Sequence, residues 1–242
     1  MKRTIQASLI TALAIAASVT SVFAADKMTF AVPAIPPVFG AVVAYTAKEA
    51  GIAAKYNIDL DVKPFDSGAA AANAVNAGSV DFSQGVGVDS VRGARWIQLD
   101  NYLRIQCKLV TDTDVNTVPL SSNVGTAMAS GQLVFGVLHT DDVPVIERMS
   151  KKKISIIAEM EKVIPDQHYL AGIARADNLA AKRDMYVRLL AALRDTTEYM
   201  KDSANADKVA KIADVTSREA PDAKAALAEY NKMEYWPIGH AG

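Results

Sequence analysis

From Ile58 to Lys63 the chain alternates between apolar and polar residues. Ile58, Leu60 and Val62 point one way, and Asp59, Asp61 and Lys63 the other. That two-residue period predicts a strand with one buried face. Asp66-Ser67-Gly68 follows with turn and N-cap chemistry, and an alanine-rich run then ends at Gly78, which predicts a helix stopped by a glycine C-cap. Val80, Phe82, Val86 and Val88 read as one or two further short strands. Strand, loop, helix and strand make a βαβ unit, whose strands are parallel and whose crossover is right-handed. Such a unit presents the Ser67-Gly68 loop at the carboxyl edge of the sheet, where open α/β folds bind ligands.

The same patterns organise the rest of the chain. Met28 to Val32 predicts a first strand, and Pro33, Pro36 and Pro37 stiffen the loop after it. Val42 to Gly51 reads as a helix, and Trp96, Leu99 and Leu103 predict another over roughly 91–106. Asp114 to Leu120 reads as a strand, Ser122 to Ser130 as a helix, Leu133 to Leu138 as a buried strand and Ile154 to Ala158 as another. Between them lies the loop His139 to Asp142, with Pro144 suited to the first turn of the next helix. From Asp177 the pattern is helical, with Tyr186, Leu190, Leu193, Thr197 and Met200 as one apolar stripe, then helices near 205–214 and 221–231. An offset of 53 residues superposes Asp61-Val62 on Asp114-Val115, Ala74 on Ala127, Gly78 on Gly131 and Phe82 on Phe135. The repeat predicts two similar α/β lobes facing each other across a cleft.

Composition and charge narrow the class. Half of the 242 residues are hydrophobic and 22% are charged, enough for a sizeable core. A net charge of −1 gives no electrostatic case for a nucleic-acid partner. Residues 1–24 carry a secretory signal pattern: Lys2 and Arg3, an apolar run from Ala7 to Val22, and Val22-Phe23-Ala24 for cleavage after Ala24. Losing Lys2 and Arg3 takes the charge from −1 to −3. The product is expected in the periplasm. Cys107 stands alone, which excludes an intramolecular disulfide, and its apolar setting predicts a buried, inert thiol. His139, His168 and His240 lack metal-ligand spacing, no P-loop or G-x-S-x-G elbow occurs, and Gly85-Val86-Gly87 lacks the third glycine of a dinucleotide fingerprint. No catalytic constellation, metal or cofactor is predicted.

With these residues in view, the chain resembles the periplasmic solute-binding proteins of ABC importers. The closest group is the nitrate/sulfonate/taurine type, which shares its domain with the NMT1/THI5-like proteins. The stretches that carry the resemblance are EAGIAAKYNIDLDV, GAAAANAVNAGSVDFSQG, DVNTVPLSSNVGTAMASGQ, RDMYVRLLAALRDTTEYMKDSANADKVAKIA and YNKMEYWP. Relative to that family the first lobe is shortened, and Val134 stands where an Asp is usual. The resemblance implies a two-lobed periplasmic-binding-protein fold of type II, each lobe a mostly parallel α/β sheet flanked by helices. The implied division is 25–85, 86–175 and a helical 176–242. It implies no enzyme but a monomeric carrier. Its partners are a small polar, anionic or heteroaromatic solute and a permease in the inner membrane. Alternatives are a pyrimidine-forming enzyme of the THI5-like kind and a degenerate, non-transporting paralogue acting as a sensor or partner. The family's ligand loops match Phe39, Asp66, Ser67, Gly68, Gln84, Asp89, Ser90, His139 and Asp141. Phe39 reads equally as a ring for stacking or as core, Ser67 as a ligand contact or only a helix cap, and Gln84 as a contact or a surface residue. Asp141 and Asp142 also suit N-cap duty.

Overall fold

The structure is a computed structural model that describes residues 24–86, 99–118, 124–163 and 171–236. The signal segment up to Phe23, Asp89, Ser90, Trp96, His168 and His240 lie outside these residues.

One sheet organises the first part of the chain. Its strands are β1 (Asp26–Pro33), β2 (Ile58–Phe65), β3 (Phe82–Val86) and β4 (Ala171–Ile173), in the order β2-β1-β3-β4. The first three are parallel and β4 is antiparallel to β3. Parallel neighbours need crossovers, which α1 (Val42–Glu49), α2 (Ile52–Lys55) and α3 (Gly68–Asn76) supply. β1 is covered on both faces. Met28, Phe30 and Val32 pack with Ala44, Ala47 and Ala53, whereas Ala31 faces Ala71 and Val75 of α3. β2 buries Ile58, Leu60 and Val62 and exposes Asp59, Asp61 and Lys63, as its alternation predicts.

Gly78 stops α3 by geometry that only glycine adopts easily. At φ +75° its N–H bonds to Val75 O at 2.9 Å, and Ser79 N–H bonds to Ala74 O at 3.0 Å. Fifty-three residues on, α4 (Val124–Ala129) ends identically. Gly131 has φ +80°, its N–H bonds to Met128 O at 3.1 Å, and Gln132 N–H bonds to Ala127 O at 2.8 Å. The repeat seen in the sequence is therefore present as a repeated helix stop.

The second half of that repeat differs. Among the described residues, Asp114–Val118, Leu133–Leu138 and Ile154–Ala158 form no strands, so the second parallel sheet expected from the pattern is not formed there. Thr111 and Val115 make one isolated bridge. A strand exists only through a partner's hydrogen-bond ladder, and no described element offers these runs one. Val134 is 95% exposed and Ile157 66%. Helices α5 (Asp142–Ser150) and α6 (Met160–Val163) complete this part, after π-helical turns at Tyr102–Cys107. Those turns bury Leu103 and leave Cys107, expected inside, exposed.

The closing helices are α7 (Ala176–Ala181), α8 (Arg183–Lys201), α9 (Ala206–Ile212) and α10 (Ala220–Lys232). On α8 the buried stripe is Met185, Leu189, Ala192, Thr196 and Met200, with Tyr186 and Thr197 beside it, and Leu190 is exposed. Both registers have helical spacing; the sheet selects the one that brings Met185 and Leu189 against β1 and β2. Asp81 ties this layer to the sheet. It accepts from Thr29 N–H at 2.9 Å, Asn178 at 3.2 Å and Lys182 at 3.4 Å, while Tyr186 donates to its carbonyl at 2.9 Å. Among the described residues no helix is long and apolar enough to cross a membrane.

Candidate functional site

The parallel strands end together. Pro33 of β1 is level with Phe65 of β2, so the loop Ala34–Val38 and the turn Asp66-Ser67 leave the sheet at one edge. Ser67 is the N-cap of α3, its Oγ accepting from Ala70 N–H at 3.1 Å. The N–H groups of Gly68 and Ala69 in that first turn have no intrahelical acceptor by helix geometry, and the helix dipole adds a partial positive charge. Asp66 is exposed at this turn. Gln84 lies near the end of β3, half buried, with its Oε1 buried and without a hydrogen-bond partner.

Phe39 turns inward. It is 1% exposed and its ring lies 5.2 Å from that of Tyr230 on α10, so of its two readings the core one describes its place. Tyr230 links residue 39 to the loop a hundred residues later, because its hydroxyl donates to Asp141 Oδ1 at 2.7 Å. Asp141 occupies the N-cap position of α5 without a side-chain cap bond. Its buried carboxylate pairs instead with Arg218, which also meets Asp142 at 2.7 Å and lies over the Phe39 ring at 5.5 Å. Burial lifts the Asp141 carboxyl above its ordinary range, against the opposing pull of Arg218 and of the Tyr230 hydrogen bond. Burial, then the Asp141 charge, pushes the Tyr230 hydroxyl far up, so at neutral pH it remains a donor. His139 joins the same group through its backbone N–H, which donates to Asp142 at 3.3 Å.

Beside this group opens a cavity of about 600 Å³. One wall is the irregular run from Val134 to Thr140, another Ile154 to Glu159, and a third the end of α10 with Tyr230, Met233 and Tyr235. Tyr235 packs edge-on against Trp236, whose indole N–H donates to Gly40 O at 3.3 Å. The aromatic wall thus rests on the chain just beyond β1. His139 lines the cavity; Phe39 and Asp141 stand behind Tyr230, and Asp66, Ser67, Gly68 and Gln84 are not part of the described wall. Among the described residues no cluster of three or more His, Cys, Asp or Glu could hold a metal.

This arrangement of sheet, crossovers and closing helices has counterparts among solved structures. The alkanesulfonate-binding protein SsuA from Xanthomonas axonopodis pv. citri, bound to MOPS, matches with a TM-score of 0.63 at 12% identity, over 84% of this chain and 83% of that one. A zinc-bound ligand-binding component of an ABC-type import system from Staphylococcus aureus gives 0.63 at 13% identity, over 84% of both chains. The periplasmic nitrate-binding protein NrtA from Synechocystis PCC 6803 gives 0.55 at 13% identity, over 81% of this chain and 68% of that one. The chain has the periplasmic binding protein fold. No family model matches its sequence, and no curated protein does. The likeness is one of architecture, carried at an identity where few side chains are shared.

Tyr230, Arg218 and Tyr235 were not singled out by sequence reasoning, although YNKMEYWP carried part of the resemblance. The available signal was the grouping of Tyr230, Tyr235 and Trp236 within seven residues at a helix end. Aromatic residues so grouped bury large areas and mark packing centres.

Proposed function

We propose that this chain is the extracytoplasmic solute-binding component of an ABC importer. It captures a small polar, anionic or heteroaromatic solute and delivers it to a permease of the inner membrane, without chemical conversion. The observation that supports this reading is the agreement of fold over 84% of the chain with solute-binding proteins of import systems, which are binding proteins rather than enzymes. Fold alone does not fix function, so the site adds its own argument. The turn Asp66-Ser67-Gly68 and Gln84 sit at the edge where parallel sheets receive ligands, with helix N–H groups suited to anionic or carbonyl oxygens. His139 and Asp141 belong to the facing side in this reading, and Phe39 supports it from within. Export with cleavage after Ala24 is part of the same proposal.

A thermal-shift screen of the mature protein tests it, using nitrate, taurine, alkanesulfonates, pyrimidines and aromatic carboxylates. A true ligand at a hundred times its Kd adds about 2.7 kcal/mol to stability. A blank across the whole panel, or turnover of any ligand found, refutes the reading.

A further inference from the structure

The surface at the end of α5 carries an inference that does not depend on which solute the protein takes. We propose that residues 149–157 form a docking surface for an anionic phospholipid membrane, entered by exposed aliphatic side chains and held by lysines. The first observation is charge. Glu147, Arg148, Lys151, Lys152 and Lys153 set four cations against one anion, in a chain whose net charge is −1. Lys153 meets Glu147 at 2.8 Å and Arg148 meets Asp222, whereas Lys151 and Lys152 make no ion pair among the described residues. The second observation is apolar exposure. Met149, Ile156 and Ile157 are each more than half exposed. Ile156 and Ile157 border the same cavity as Val134 and Phe135, which are exposed as well. Apolar exposure of this kind, rimmed by charge, marks a surface that meets a partner.

Local structure holds this pattern in place. α5 ends at Ser150, and Lys151 adopts a left-handed conformation at φ 56°. The Glu147 carboxylate accepts from Ile154 N–H at 2.9 Å as well as from Lys153, and Ser150 Oγ accepts from Lys152 N–H at 3.2 Å. The lysines therefore stand on a tethered turn, with the isoleucines directly after it. Composition decides between lipid and protein as the occupant. Protein interfaces favour arginine and aromatic side chains and are depleted in lysine. Here both unpaired cations are lysines, and the exposed apolar residues of the turn are Met149, Ile156 and Ile157. Lysine is a compact point charge that answers a diffuse field without needing a planar partner. Its stem lies along apolar surface while its head reaches toward headgroups. A lysine cluster beside aliphatic side chains thus complements a negatively charged bilayer by shallow insertion and by charge together.

The test is co-sedimentation of the mature protein with vesicles of phosphatidylcholine alone and with vesicles containing about one third phosphatidylglycerol. Binding to the anionic vesicles only is the expected result, falling as sodium chloride rises from about 0.05 to 0.5 M. The double variant Lys151→Gln/Lys152→Gln should weaken it about twentyfold, about fivefold for each lysine. Ile156→Ser/Ile157→Ser should weaken it about tenfold or more. Lys48→Gln/Lys55→Gln makes the same charge change at exposed positions on α1 and α2 and should leave binding within about twofold. Far-ultraviolet circular dichroism verifies that each variant is folded, and if the serine variant is not, the lysine variant decides. Absence of binding, equal binding to both vesicle types, or an equal loss in the Lys48/Lys55 control overturns the proposal. Analytical ultracentrifugation without vesicles tests the other occupant. Self-association that the lysine variant abolishes would assign this face to a second copy and overturn the membrane reading. No solute enters these measurements, so their failure leaves the solute-binding reading to its own thermal-shift test.

Discussion

The Asp141–Arg218 pair offers the sharpest test of how the 139–142 loop is held. The Asp141 side chain is 1% exposed and that of Arg218 10%, so the pair is desolvated on both sides. Removing one member of a buried ion pair costs about 3–5 kcal/mol, because the other charge stays buried without its partner. Asp141→Ala leaves Arg218 with Asp142 at 2.7 Å and with the Phe39 ring, and strips the Tyr230 hydroxyl of its acceptor. That residual support places the loss at the lower end, about 3 kcal/mol. Arg218→Ala strands the Asp141 carboxylate and should cost about as much. The double variant should lose about 4 kcal/mol rather than the sum, a coupling of about 2 kcal/mol within the range for directly interacting residues. The assay is urea unfolding at pH 7 with unchanged slope, followed by the fluorescence of Trp236, which packs against Tyr230 at 5.3 Å. The pH dependence has a definite sign. Burial already raises the Asp141 carboxyl in the native protein, and loss of Arg218 removes an opposing influence. A raised folded value means stability fully present below the unfolded value, about 3.9, and lost as pH rises through the folded one. The deficit of Arg218→Ala should therefore narrow as pH is lowered toward 4. Single variants that each cost less than about 1 kcal/mol, or losses that add within about 0.5 kcal/mol, refute this account.

Four further outcomes are expected. Asp81 has its carboxyl held below its ordinary value of 3.8, partial burial being outweighed by bonds from Thr29 N–H, Asn178 and Lys182. Asp81→Asn should cost about 1.5 kcal/mol at pH 7, and the difference from the native protein should vanish as pH falls through the lowered folded value, measured by denaturant midpoints across pH 2–7. At Gly131 an added Cβ meets nothing within 4 Å, so Gly131→Ala reports the left-handed backbone alone and should cost about 1 kcal/mol, whereas a neutral result would show that the stop tolerates a side chain. Ser67→Ala should cost about 1 kcal/mol through its lost cap. Gly68→Leu should leave the fold largely intact while blocking any ligand held at the sheet edge, and unchanged affinity would show that this turn does not touch the solute.

The sheet was legible because its signals are local. The alternation of Ile58 to Lys63, the cap at Ser67 and the stop at Gly78 each decide the backbone within a few residues, and each takes the predicted form. The apolar runs at Leu133 and Ile154 carry no such decision, since pairing depends on a distant strand that the sequence does not name. Phe39 and Asp141 were legible as positions but not as contacts. Their roles depend on Tyr230 and Arg218, far along the chain, and only packing brings these together. The stripe of α8 shows the same limit, because helical spacing alone admits both Leu190 and Leu189, and only the sheet beneath selects between them.

β1, the first strand in the chain, lies inside the sheet, and the element that closes that sheet begins only at Ala171. The ribosome thus delivers the middle of the sheet early and its far edge late, along with Met185 and Leu189 that cover Phe30. A nascent chain halted near residue 163 would hold β1, β2 and α3 but lack their lid. Its apolar face would stay open to chaperones, and native closure would await the last third of synthesis. Such sequence-distant closure slows folding, since a long loop must be ordered before its contacts form. If the chain is exported as proposed, that delay is an advantage: the architecture itself postpones collapse until the whole chain has been made.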